Sequence, residues 1–151
     1  MKENQNSIAY ACDVLAEVIK STPEISGLFG GESLCVYSET DENFEEKLEA
    51  TLQSNLGAAV FVRNSGWTQA TMHGDAVVVS ASFSVRVVAS ILLNSEDSRS
   101  LTDLVCAITK SASRSLGDER FLSPFVPSSM SVFESSGSIT RELTFTASLV
   151  L

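Results

Sequence analysis

The sequence predicts an α+β domain: a mostly antiparallel sheet with two to three helices packed on one face. Three observations carry this. Val77, Val79, Ala81, Phe83, Val85 and Val87 alternate with Ser80, Ser82, Ser84 and Arg86, the period of a half-buried strand. A second alternating run closes the chain, with Leu143, Phe145, Ala147, Leu149 and Leu151 set against Thr144, Thr146, Ser148 and Val150. Three other segments place apolar residues three and four apart, as helices do. One visibly polar strand face suits an antiparallel sheet whose helices lie on the other side.

The first helix is expected from Ser7 to Lys20. Ile8, Cys12, Leu15 and Val18 or Ile19 share a face, Asn6 or Ser7 can cap the start, and Pro23 stops it. The loop Gly27 to Glu32 and a short strand, Leu34 to Tyr37, follow. The second helix is expected from Glu42 to Gln53, with Thr40 or Asp41 as cap and Phe44, Leu48 and Leu52 as a narrow buried stripe. Glu42, Glu45 and Glu46 crowd its first turn, where the helix dipole favours carboxylates.

Ala58 to Val62 is apolar on both faces, as a central strand would be. Asn64-Ser65-Gly66 reads as a turn, Trp67 to Met72 as a weaker strand, and His73-Gly74-Asp75 as a second turn. The run from Val77 to Ala89 is long for a strand. At about 3.4 Å per residue it spans roughly 44 Å, against roughly 17–20 Å for a common one. Such a strand either bends at a bulge or projects as an arm.

The third helix is expected to start at Ser100, where Ser100-Leu101-Thr102-Asp103 resembles a capping box with Asp in place of Glu. Leu101, Leu104, Val105, Ile108, Ala112 and Leu116 form its core face, and Gly117 ends it. The apolar stretch from Phe121 to Pro127 either folds over the core or shows an apolar patch to a partner. A strand near Met130 to Phe133, a turn at Gly137 and a strand from Ile139 to Leu151 complete one domain, 1–151.

Composition narrows the function. At 151 residues, 44% hydrophobic and 19% charged, the chain can build a core without metals or disulfides. Cys12, Cys35 and Cys106 lie among apolar neighbours and read as buried free thiols. No stretch is long and apolar enough for a membrane span, and no signal peptide is apparent, so cytoplasmic synthesis is expected. The net charge of −9 argues against binding along a nucleic-acid backbone. Residues 1–75 hold 4 basic and 12 acidic side chains, whereas residues 76–151 hold 6 and 7. That imbalance is either a solvated acidic surface or a pair of unlike surfaces that meet between subunits.

No catalytic, cofactor or metal site is expected. His73 is the single histidine and reads as a turn residue. No close-spaced cysteine pair, phosphate-binding glycine loop or G-x-S-x-G elbow occurs. The six acids between Glu39 and Glu49 read as capping charge. Lys110 and Arg114 lie one turn apart on the third helix, away from its apolar stripe, with Arg86 and Arg99 as potential neighbours. They are either solvated or a contact for Glu42, Glu45 and Glu46 of an adjacent copy.

The layout of the second half is similar to the tail terminator (tail-completion) proteins of long-tailed phages and prophages. The resemblance rests on a long alternating strand, a polar loop, the helix Ser100–Leu116 and a terminal strand reading Arg141-Glu142-Leu143-Thr144-Phe145-Thr146-Ala147. The first half fits with its N-terminal helix and a helix leading to Leu56-Gly57-Ala58-Ala59-Val60-Phe61-Val62, although the family often has Pro where this chain has Gly57. The resemblance implies a homo-oligomeric ring, usually of six, added to the end of a tail tube during cytoplasmic assembly and carried in the virion tail. It implies tube and head-connector proteins as partners and no cofactor. Two other readings remain open: another tail, neck or baseplate component, and a small enzyme or ligand-binding domain using a pocket between the third helix and the sheet.

Overall fold

A computed structural model describes residues 5–21, 35–53, 58–90, 95–114, 117–135 and 138–151; within these, the side chains of 35, 51–53, 58, 89–90, 95–101, 135 and 138 lie outside the description. Pro23, the loop Gly27 to Glu32, Leu34, Leu56, Gly57, Leu116 and Gly137 fall outside the described residues, as do the side chains of Cys35, Leu52, Arg99 and Leu101. The elements in chain order are α1 (Ser7–Ser21), β1 (Cys35–Ser38), α2 (Phe44–Gln53), β2 (Ala58–His73), β3 (Ala76–Ser90), α3 (Ser95–Arg114), β4 (Val126–Ser135) and β5 (Ser138–Val150). The five strands form one sheet in the order β1-β2-β3-β5-β4. Only β1 and β2 run parallel, joined through α2; the other three pairs are antiparallel.

The expected α+β class stands. Alternation along the strands decides which face each helix covers. Val60, Val62, Val79, Ala81, Phe83, Val85, Val87, Leu143, Phe145, Ala147 and Leu149 point to one face and pack with α1 and α3. Ala59, Phe61 and Val88 point to the other, where Phe44 and Leu48 of α2 cover them. Two helices therefore share the main core face, and α2 closes the opposite face at the β1–β2 end. Its apolar stripe is narrow because it covers one small cluster.

α1 starts where the sequence places it. The Asn6 side-chain oxygen accepts from Ala9 N at 2.8 Å, one of the donors that a helix start leaves unpaired. Ser7 Oγ donates to Val150 O at 2.6 Å and ties this end to β5. α2 begins two residues later than expected. Asp41 instead accepts from Ser38 N at 2.9 Å, and Asn43 takes a left-handed φ of 60° that asparagine tolerates, so Glu42 lies in a turn. α3 begins five residues earlier than expected, at Ser95. The residues 95–99 are polar all round, so no apolar period marks them, and Ser100 is inside the helix rather than its cap.

The clearest correction is at Asn64-Ser65-Gly66. It is a bulge inside one strand of 16 residues, not a turn between two. The Asn64 side chain accepts from Gly66 N at 3.1 Å and donates to Ser82 O at 2.9 Å, so it supplies the ladder bonds that the bulge breaks. Gly66 has φ 119°, a value open mainly to glycine. A second irregularity lies between Thr68 and Thr71, with Gln69 at φ 55°. The expected hairpin turn at Gly74 and Asp75 is present as a two-residue loop closed by the pair His73 and Ala76. β3 extends one residue further at each end than predicted and carries no bulge against β5: it pairs with that strand from Val78 to Ser90.

The segment after α3 folds over the core. Phe121 and Phe125 are buried, and Phe125 meets Phe83 edge to face at 5.6 Å. Gly117 is required by this packing, because a Cβ there would fall 2.4 Å from the Phe121 ring. Leu122 N donates to Ser148 O and Val150 N to Arg120 O, both at 2.8 Å, so the segment covers the end of β5 beyond β4.

Candidate assembly surface

β4 is the last strand of the sheet, and no described strand pairs with its outer edge. Residues 126–134 are exposed throughout, including Val126, Met130, Val132 and the Phe133 ring at 54%. A strand edge offers a row of unpaired N–H and C=O groups, which proteins usually guard with lysine, proline, bulges or shortness. β4 has Pro127 and one bulge near its start, and its only charge is Glu134. The β1 edge, by contrast, is four residues long. The strand thus joins two properties seldom left together in water: a long open edge and apolar side chains.

Against β4 lies a cleft of about 410 Å³ between this strand and α3, lined by Val105, Cys106, Thr109, Lys110, Met130 and Leu143 among others. Cys106 is exposed, not buried as the sequence suggested. It sits two residues, or about 200°, from Leu104 on the helix, which turns it away from the core stripe. Cys12 is buried as expected, and its Sγ donates to Glu39 at 3.3 Å. Burial, and then the Glu39 carboxylate, push this thiol far above its ordinary range, so it is inert.

A second exposed feature is the tip of the β2–β3 hairpin. β1 pairs with β2 only as far as Val62, so the outer edge of β2 beyond it has no described strand beside it. Residues 67–75 are exposed, and Trp67 and Met72 show 52% and 66% of their surface. Both project to the α1/α3 face, because Trp67 pairs with Ala81 and Met72 with Val77, which pack on that side. Trp67 borders an open hollow of about 680 Å³ formed with the start of α1 and with Val150 and Leu151.

The predicted charged residues fall into separate groups. Glu42, Glu45 and Glu46 are exposed around the start of α2, on one sheet face; Lys110 and Arg114 are exposed on α3, on the other. Glu45 pairs with Arg63 at 2.6 Å. Arg86 does not join Lys110. It lies on the α2 face, opposite Glu142 in the strand register, and pairs with it at 2.8 Å. Arg99 is outside the described side chains. The acidic and basic groups therefore occupy opposite faces and opposite ends of the sheet.

Polar groups inside the fold hold elements together. Asp13 of α1 accepts from Thr40 Oγ1, from Gln5 Nε2 at 2.6 Å and from Ser38 Oγ at 2.8 Å, which locks α1 to the end of β1. Burial raises the Asp13 carboxyl, but the bonds from Thr40, Gln5 and Ser38 outweigh it and bring it below the ordinary range. We predict that Asp13→Ala lowers stability by about 1–3 kcal/mol, because the buried Ser38 hydroxyl loses its acceptor. Folding favours the charged form, so the contribution is present above the unfolded carboxyl value of about 3.9 and is lost as pH falls through the lower folded value. Urea midpoints from about pH 2 to 6 check this; the variant should show a shallower acid slope than the parent. Arg120 pairs with Asp118 at 2.9 Å, donates to Gln5 O at 3.1 Å and covers the Tyr10 ring at 3.8 Å, fixing the end of the post-α3 segment.

Among the described residues no group of three or more His, Cys, Asp or Glu is placed to hold a metal ion, and no helix is long and apolar enough to cross a membrane. His73 ends β2 at the exposed hairpin tip.

Comparison with known proteins adds a fold. No family model matches the chain, and no curated protein matches it by sequence. A solved structure does: a chain from the virion of a native gene transfer agent (GTA) particle superimposes with a TM-score of 0.63. Identity is 11%, and the alignment covers 97% of this chain and 100% of that one. The two share an architecture from end to end.

Proposed function

We propose that this chain is a structural subunit of a phage-type particle, and that within it the chain acts as a tail terminator: a ring of identical copies that caps the tail tube and offers the head its docking surface. The role is mechanical rather than catalytic. The observation that carries the reading is the fold likeness to a virion chain, which covers 97% of this chain and 100% of that one. The surface supports it. A closed ring needs head-to-tail contacts, so each subunit must carry two different patches. This chain has an open apolar edge at β4, beside Lys110, and an acidic α2 at the far end of the sheet.

A second reading, another tail or neck component of the same particle class, is supported equally by the likeness to a GTA virion chain, because a shared fold does not fix a subunit's position in the particle. Light scattering over a wide concentration range, at two salt strengths and with tail tubes added, separates the readings. A discrete ring-sized species that weakens with salt and binds tube ends is expected. A protein that stays monomeric with and without tubes would end the terminator reading.

A further inference from the structure

Among the described residues the sheet has two long open edges besides the short β1, and their geometry is matched. One is β4; the other is the outer edge of β2 from Arg63 to His73, eleven residues that would extend roughly 37 Å. β2 is antiparallel to β3, β3 to β5, and β5 to β4, so β2 and β4 run in opposite directions. Two copies related head to tail would therefore bring β4 of one and β2 of the next together as an antiparallel pair, and the faces of the sheet would continue across the joint.

That continuity fixes where the side chains go. Trp67 and Met72 lie on the α1/α3 face of the arm. The cleft between α3 and β4 lies on the same face, since Met130 is paired with core-facing Leu143. Extending the sheet by one arm sets the two largest exposed apolar side chains of the hairpin over an apolar cleft that borders the open edge. The charges agree. From Asn64 to Asp75 the only residue among Asp, Glu, Lys and Arg is Asp75, and the cleft carries Lys110.

We infer that the β2–β3 hairpin of one copy pairs along β4 of the next and seats Trp67 and Met72 over the cleft lined by Val105, Cys106, Lys110 and Met130. The occupant is a second copy of this chain. The inference rests on the ring reading above and names its joint.

Two features of the chain make the test direct. Trp67 is the only tryptophan, so its emission reports this surface alone. Cys106 is an exposed thiol inside the proposed joint. Raising the concentration of the full chain should shift Trp67 emission to the blue in step with the mass from light scattering. A Met72→Cys variant treated with a short bis-maleimide should give covalent dimers and higher multiples, and adding Cys106→Ser should abolish them. Trp67→Ala should raise the concentration needed for assembly at least tenfold while its far-ultraviolet circular dichroism stays unchanged. An oligomer that forms without the cross-link and is indifferent to Trp67→Ala overturns this joint and leaves the ring reading intact. A chain that is monomeric at every concentration, with and without tail tubes, overturns both.

Discussion

Replacing Phe83 with alanine is expected to leave the protein barely folded. Phe83 is fully buried at the middle of the long central strand. Its ring meets Phe125 at 5.6 Å and 85°, and Phe125 meets Phe121 at 5.4 Å and 69°. This chain of rings fastens the segment after α3 to the sheet. Losing a buried phenylalanine costs about 3–5 kcal/mol when its neighbours cannot close the cavity. Here they cannot close it easily, because β3 is held on both sides by strand pairing. A domain of this size has roughly 5–15 kcal/mol in all. Urea unfolding followed by circular dichroism should show the loss. Met72→Ala, at an exposed site, should change stability by less than about 0.5 kcal/mol and serves as the control. A loss under about 1 kcal/mol at Phe83 would mean that the rings move together to refill the site and that the segment is less firmly held than its geometry indicates.

Phe83 also shows what the sequence makes legible. Its strand announces itself because six apolar residues at a period of two have no other reading, and β5 announces itself in the same way. The helices α1 and α2 were legible to within two residues, because an apolar period marks each; the Asn6 cap fixes the start of α1, whereas Asp41 bonds Ser38 N and leaves α2 to start two residues later than expected. Asn64-Ser65-Gly66 misleads for a physical reason. Asparagine, serine and glycine suit a bulge as well as a turn, and only the partner strand decides. Ser82 O accepts from the Asn64 side chain, and that contact joins residues 18 apart in the chain. The face covered by α2 was hidden for a similar reason: Ala58 to Val62 is apolar on both sides, so the sequence shows that something covers each face and not which helix does it.

The candidate surface was the least legible part. Met130, Val132 and Phe133 look like a buried strand in sequence, since apolar residues appear on both alternating faces. Their exposure follows from topology: β5 inserts between β3 and β4 and leaves β4 at the end of the sheet. The charged residues that the sequence offers as contacts are divided by the fold. Arg86 is engaged with Glu142, and Glu45 with Arg63, while Lys110 remains exposed beside β4. The signal that could have marked Cys106 was present, because its angle from Leu104 and Ile108 on a helical wheel turns it outward.

Two lysines on β4 should abolish assembly without unfolding the chain. Met130 and Val132 are about half exposed and point to the α3 side, so Met130→Lys with Val132→Lys buries no charge in the monomer. Each replacement removes apolar surface available for a joint. Each also places a charge on a strand edge, which is how soluble proteins keep such edges from pairing. At an interface the cost is larger, since a lysine pressed against a neighbouring strand must shed water without a partner. The expected result is a protein that melts within a few degrees of the parent and remains monomeric at concentrations where the proposed ring of the parent would form. Loss of roughly 3 kcal/mol in association, about a hundredfold in the dissociation constant, suffices for that. Thermal melts and light scattering on the same samples test it. If the double variant assembles as the parent does, β4 is not part of the joint, and the exposed apolar side chains along it need a different partner.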